Sequence, residues 1–377
     1  MVDSALFPKG FRSLSVPTFR ATTVPFSDYA SYRDRGNLPR SGYSYGLAGT
    51  PTTRVLQGKI TELHGALDTF LVPSGLSAIT TTFLALCRSG DVVVIPDNVY
   101  PPVRRFARDT LARLGIETVY YDPREPETQL RGLDQARLVW CESPGSTTHE
   151  VVDFVELRNL ADRLGAWLGA DNSWASPYLC RPLSHGFDIV VEAVSKHLSG
   201  HSDLLMGSIS VGSEDLARSI HESVRSLGLG VSPDDCFLAL RGLETAKLRI
   251  RESGASATKL ACFLSTHPNV AELLYPAHAS SPENERFTTQ FDGPGSVLTC
   301  VLAGPGGRDF EAMVLRLQHF TLGASWGGTH SVISPAVLDT ERTVDRRYCG
   351  SDLVRLGVGV EDTDALIEDI ERFLKIE

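Results

Sequence analysis

The chain has 377 residues and a mass of 41.0 kDa, enough for two or three domains sharing a substantial core. Its 42% hydrophobic and 22% charged residues, with 33 Gly and 21 Pro, exclude intrinsic disorder and collagen-like repetition and fit an α/β chain. A net charge of −10 argues against a nucleic-acid or anionic-membrane surface.

Residues 1–50 are rich in Ser, Pro, Tyr, Arg and Gly without a sustained period, which predicts an extended arm that must lie on something. Apolar positions Val55, Leu56, Ile60 and Leu63 then predict a helix over 52–63, followed by a short buried strand at 69–72. The turn Pro73-Ser74-Gly75-Leu76-Ser77 leads into a helix over 78–87. Further strands are predicted at 91–96, 117–121, 138–142, 166–171 and 189–193, with helices at 103–114 and 155–164 between them. This alternation predicts a mostly parallel sheet covered on both faces. A smaller α/β unit is expected after a helix around 238–253, with strands at 296–302 and 353–358 and a closing helix over 362–374.

Seven Cys, at 87, 141, 180, 236, 262, 300 and 349, form no C-x-x-C pair and no zinc spacing, so buried free thiols are expected. The first eight residues lack a basic-then-apolar leader, and no apolar run of about 18 residues occurs. A cytoplasmic protein without membrane contact is the expectation.

In parallel α/β sheets ligands gather at the carboxyl ends of strands. Ser74-Gly75-Leu76 stands between a strand and a helix, where free N–H groups favour a phosphate. Asp171 ends an apolar strand, where a carboxylate must find a partner. Lys196 follows another, where desolvation lowers an amine's pKa and favours reaction with an aldehyde. Taken singly, each has an ordinary alternative: a plain turn, a helix cap, a surface lysine. His197 and His201 are four apart, but no third ligand stands nearby, so no metal is expected.

Their order carries more. Tyr45 to Thr52 (Tyr-Gly-Leu-Ala-Gly-Thr-Pro-Thr), Pro73-Ser74-Gly75, Asp97-Asn98-Val99-Tyr100, Asp171-Asn172-Ser173-Trp174, Ser195-Lys196 through Gly200-His201-Ser202-Asp203, Ser325-Trp326-Gly327-Gly328 and Arg355 to Asp362 stand in one register. With them the sequence resembles, nearly end to end, the Cys/Met-metabolism family of pyridoxal phosphate (PLP) enzymes. The resemblance implies PLP-dependent transferase fold type I, the aspartate-aminotransferase-like fold: an arm at 1–50 reaching a neighbouring subunit, a PLP-binding domain at 51–243 and a smaller C-terminal domain at 244–377. It implies that Lys196 carries PLP and moves protons, that Asp171 pairs with the pyridine nitrogen, and that Tyr100 stacks on the ring. Gly75, Leu76 and Ser195 would hold the phosphate, and Tyr45 would reach the neighbour's phosphate and substrate. Arg355 would bind the substrate carboxylate through a two-pronged contact, with Ser325 and Trp326 shaping that end. A homotetramer built as a dimer of dimers, with sites at the dimer interface and a sulfur amino acid as substrate, completes the expectation.

Within the family, Glu142-Ser143-Pro144-Gly145-Ser146 and Ser325-Trp326-Gly327-Gly328 resemble the bacterial cystathionine β-lyases, which cleave cystathionine to homocysteine, pyruvate and ammonia in methionine biosynthesis. A γ-branch enzyme of the same family is the alternative, and an aminotransferase a more distant one. Three positions depart from the family pattern. Leu47 stands where an arginine often meets the phosphate, for which Arg54 is the expected substitute. Ala48 and Arg105 alter the end of the site facing the distal part of the substrate.

Overall fold

The computed structural model describes residues 12–304, 306–336, 338 and 342–375; the residues read for a leader lie outside them. Seven strands form the larger sheet: β1 (Asp68–Val72), β2 (Val92–Pro96), β3 (Glu117–Tyr121), β4 (Leu138–Glu142), β5 (Trp167–Asp171), β6 (Ile189–Glu192) and β7 (Gly207–Val211). They are ordered β1-β7-β6-β5-β4-β2-β3, and all pairings are parallel except those of β7. The central strands β2, β4, β5 and β6 carry apolar runs because both faces of the sheet are covered there. Val93, Ile95, Leu138 and Trp140 face helices Gly75–Leu86 and Glu214–Ser226, whereas Val94, Val139 and Cys141 face helix Phe154–Arg163.

β7 has no counterpart in the sequence reading, because Ser208 and Ser210 break its apolar run. Both are fully buried; Ser210 Oγ lies 2.9 Å from Thr69 Oγ1 on β1, so these two hydroxyls satisfy one another inside the sheet, whereas Ser208 Oγ has no hydrogen-bond partner among the described residues. The helix expected over 103–114 starts at Pro101, widens after Phe106 and tightens at Ala112 before ending at Gly115 in a left-handed conformation.

The second sheet comprises β8 (Val270–Leu274), β9 (Val297–Leu302), β10 (Thr321–Leu322), β11 (Val332–Ala336) and β12 (Leu353–Gly357), ordered β10-β11-β12-β9-β8. All its pairings are antiparallel except β10 with β11. Only β9 and β12 carry the apolar patterns read from sequence. The expected helix around 238–253 is the middle of a 32-residue helix, Pro233–Leu264, capped by Ser232. Its first half packs Cys236, Ala239 and Leu240 on Leu56, Val194 and Leu198, and its second half packs Ile250, Ala257 and Leu260 on the side of β9. The expected junction at 243/244 falls inside this helix. The closing helix, Thr363–Leu374, is capped by Asp362 and buries Leu366, Ile370 and Phe373.

The arm is laid on the larger unit by polar contacts. Phe19 N–H donates to Thr52 Oγ1 (2.8 Å), which donates to Pro17 O (2.8 Å), and Arg40 bridges Asp68 and Glu214. Arg54 donates Nη1 to Gln57 Oε1 (2.7 Å) and Nη2 to the carbonyls of Arg40 and Ala48. It therefore ties down its own arm, and these bonds leave the phosphate role expected of it without support within the chain. All seven cysteines are free, yet Cys262 is exposed and Cys349 only partly covered, a correction to uniform burial: Cys262 sits on the outer face of the long helix. Among the described residues no helix is long and apolar enough to cross a membrane.

Candidate active site

One cavity of about 220 Å³ opens at the carboxyl edge of the larger sheet and is closed on the far side by β12. It is lined by Gly75 and Leu76 after β1, Tyr100 after β2, Glu142 at the end of β4, Asp171 at the end of β5, Ser195 and Lys196 after β6, and Trp326 and Arg355 from the second unit. Eight of the ten residues singled out from sequence thus share one chamber. Ser325 touches it through Lys196, whereas Tyr45 lies apart.

Ser74 shapes the first wall. Its Oγ accepts the Ser77 N–H (3.1 Å) and its own N–H donates to Ser77 Oγ (2.9 Å), which leaves the N–H groups of Gly75 and Leu76 at the head of a 12-residue helix. A Cβ on Gly75 would stand 2.7 Å from that of Ala193, so the close approach of the β6 segment requires glycine there. Ser195 lines the same corner, but its hydroxyl donates to Met206 O (3.0 Å) and accepts the Met206 N–H (2.9 Å). Its side chain is therefore already engaged, and any anion held there meets mainly backbone donors.

Asp171 accepts the Ser173 N–H (2.9 Å) and has no cation within ion-pair distance among the described residues. Burial raises its carboxyl pKa, partly offset by Ser173 and Lys196. Such a group awaits a positively charged partner. Lys196 Nζ donates to Ser325 Oγ (2.6 Å) and stands 5.3 Å from the centroid of the Trp326 ring. Burial first, and then Arg355, push the amine down to about 8, against the pull of Asp171. A partly buried lysine facing an unpaired carboxylate, beside a helix head with free N–H groups, fits PLP: aldehyde, pyridine nitrogen and phosphate each find a complementary group.

Tyr100 N–H donates to Glu142 Oε2 (2.7 Å), which holds the ring over the cavity with 42% of the residue exposed. Burial, Glu142 and Asp171 all raise the phenol, so it remains protonated near neutrality. Arg355 donates Nη2 to Ala324 O (3.2 Å) and is otherwise turned to the cavity; burial lowers its pKa without discharging it. Arg105 is exposed in the last turn of helix Pro101–Phe106, which Tyr100 precedes. Tyr45 is half-exposed in a shallow surface basin with Phe26, Tyr29 and Tyr32, outside its own chain's cavity.

Two lining residues were missed by sequence reasoning. Glu142 is a partly buried acid whose pKa is raised by desolvation and by Asp171. An acid closing an apolar strand is the signal that marked Asp171, and it applied equally here. His149 has a left-handed backbone (φ 60°), and its Nε2 lies 3.1 Å from Thr299 Oγ1, the residue opposite Arg355 across β9 and β12. Burial lowers its pKa to about 3, so it is a neutral prop behind Arg355. Nothing in its local sequence announces this.

Two outcomes follow from the lysine's surroundings. Because the free amine is the basic form, turnover should rise nearly tenfold per unit as pH climbs toward about 8 and level off above it; a rate independent of pH between 6 and 8 contradicts this. Ser325→Ala removes one short hydrogen bond from Lys196, worth about 1 kcal/mol, so kcat should fall about fivefold with the fold intact, as read by steady-state kinetics.

Comparison with known proteins agrees with this chamber. The model of the Cys/Met metabolism PLP-dependent enzymes matches residues 5–375. A putative cystathionine β-lyase of Rhizobium johnstonii is 38% identical over 95% of this chain and 90% of its own. An L-alanine/L-glutamate racemase of Wolbachia pipientis is 33% identical over 96% of this chain and 92% of its own. The crystal structure of a cystathionine γ-synthase from Xanthomonas oryzae superposes with a TM-score of 0.88 at 26% identity, covering 97% of this chain and 94% of that one. Relatives with different reactions thus share the frame, and the chain belongs to the Cys/Met-metabolism family of PLP-dependent enzymes.

Proposed function

We propose that the protein is a carbon–sulfur lyase of the β type, acting on L-cystathionine and related S-substituted cysteines. PLP, when bound, supplies the electron sink that makes the Cα hydrogen of an amino acid acidic. Arg355 binds the substrate carboxylate through its two free N–H edges and aims Cα at Lys196. Lys196 Nζ, a free amine above about pH 8, takes the Cα proton. The electron pair released forms the Cα–Cβ double bond as the Cβ–S bond breaks, and sulfur leaves as a thiolate. That thiolate takes a proton from within the cavity, where the Lys196 ammonium and the Tyr100 phenol both carry one. The unsaturated amino acid then reacts with water to give pyruvate and ammonia.

The observation that supports β over γ chemistry is the wall formed by Pro144, Gly145, Ser146 and Thr147. A Cβ on Gly145 would overlap the Asn98 side chain, so the Gly-Ser pair brings this loop down onto the segment that carries Tyr100. The string resembles that of bacterial β-lyases, in line with the Rhizobium relative. Parallel incubations with L-cystine and L-homocystine test the reading: pyruvate from the first and little 2-oxobutyrate from the second are expected, and the reverse pattern would overturn it.

The arrangement of subunits belongs to the same proposal. Tyr45 does not line the active-site cavity of its own chain, which supports a role at a neighbouring subunit's cofactor in a dimer, paired again into a tetramer. On that account Lys196, Asp171, Tyr100, Gly75 and Leu76 hold the cofactor together with the segment of Ser195, and Ser325 serves the lysine as well as the substrate.

A further inference from the structure

The three residues after Lys196 turn their carbonyls toward one side chain. Arg249, on helix Pro233–Leu264, donates Nη1 to His197 O (2.9 Å) and Nη2 to Leu198 O (3.3 Å), with Ser199 O at 3.5 Å. Its Nη2 also reaches Gly242 O (2.9 Å), and Nε donates to Thr245 Oγ1 (3.2 Å), so the guanidinium is fixed to its own helix as well. Arg249 is only 9% exposed, and among the described residues no carboxylate lies within ion-pair distance of it. A buried cation without a counterion is costly, and here carbonyl dipoles provide the compensation.

The dependence runs both ways. The turn at 193–200 closes through Lys196 N–H to Ala193 O (2.9 Å), Ser199 N–H to Val194 O (2.9 Å) and Gly200 N–H to Lys196 O (2.8 Å). That pattern leaves His197 O and Leu198 O without a backbone donor, and Arg249 is what satisfies them. Two glycines make room: a Cβ on Gly200 would overlap the guanidinium, and one on Gly242 would overlap Ser199 O. Beyond Arg249 the same helix packs Ile250 and Ala257 against the core that includes Val297 and Leu298 of β9, and β9 pairs with β12, which carries Arg355.

We infer that Arg249 is a positioning residue that fixes the backbone of Lys196 relative to Arg355, and so sets where the lysine amine meets a substrate held by its carboxylate. The inference rests on the reading of Lys196 as the base. An error of about 1 Å in such a relation costs on the order of 100-fold in rate. Lysine at 249 keeps the charge but cannot bridge several carbonyls at once.

The test compares Arg249→Lys and the milder Thr245→Val with the parent holoenzyme on exchange of the Cα hydrogen of L-alanine for solvent deuterium, followed by NMR. This reaction needs the base and no leaving group. Arg249→Lys should slow exchange at saturating alanine about 30-fold with KM within about threefold. Amide exchange across 196–200, followed by mass spectrometry, should quicken while cofactor content and circular dichroism match the parent. Thr245→Val should show the same pattern at about threefold. Exchange within twofold of the parent in Arg249→Lys, or, if that variant does not fold, parent-like exchange in Thr245→Val, overturns the inference. A parent enzyme that exchanges alanine yet releases no thiol removes the β-elimination reading alone, and one that exchanges nothing removes both.

Discussion

Replacing Lys196 by Ala should abolish thiol release, lowering kcat by at least about 1000-fold while the protein stays folded, as measured by a thiol-reactive dye alongside circular dichroism. The size follows from the geometry. Lys196 is the only amine lining the cavity among the described residues, and the remaining lining groups are poor substitutes as bases. His149 is buried behind Arg355 with its pKa near 3, and Glu142 Oε2 is already engaged by the Tyr100 N–H. The Tyr100 phenol is held protonated by burial and two neighbouring acids. Because Nζ makes its one hydrogen bond to Ser325 and no ion pair among the described residues, its removal breaks no salt bridge, and stability should change little.

Arg355→Lys should raise KM for the amino acid about 100-fold with kcat much less affected. Strand β12 places Arg355 in the cavity lining, with one nitrogen anchored on Ala324 O and the others available to grip a carboxylate in two places. Lysine offers one donor direction, and the carboxylate contact is equal in ground and transition states, so the loss falls on binding. Steady-state kinetics with S-ethyl-cysteine separate the two parameters. A kcat that falls while KM holds would place the carboxylate elsewhere.

Much of this was legible in the sequence, for a local reason. Strands such as Val92–Pro96 and Leu138–Glu142 are buried on both faces and so carry unbroken apolar runs, and the residues that follow them must stand at the sheet's carboxyl edge. That is why Asp171 and Lys196 stand out together, whereas Tyr100 is legible only through the family resemblance. β7 was not legible because its alternate serines look like loop until Thr69 is seen opposite Ser210. His149 and Arg249 were missed because each acts on a segment distant in the chain, Thr299 in one case and the 197–199 carbonyls in the other. Arg54 shows the converse: a residue of the right type stood at a suggestive position, yet its donors are taken by Gln57, Arg40 and Ala48 of its own chain.

The most direct measurement is incubation of the PLP-loaded protein with L-cystathionine and separation of the products. The account predicts pyruvate and ammonia with homocysteine, from cleavage of the Cβ–S bond on the three-carbon side. Cysteine with 2-oxobutyrate would contradict it and move the protein to γ chemistry on the same frame.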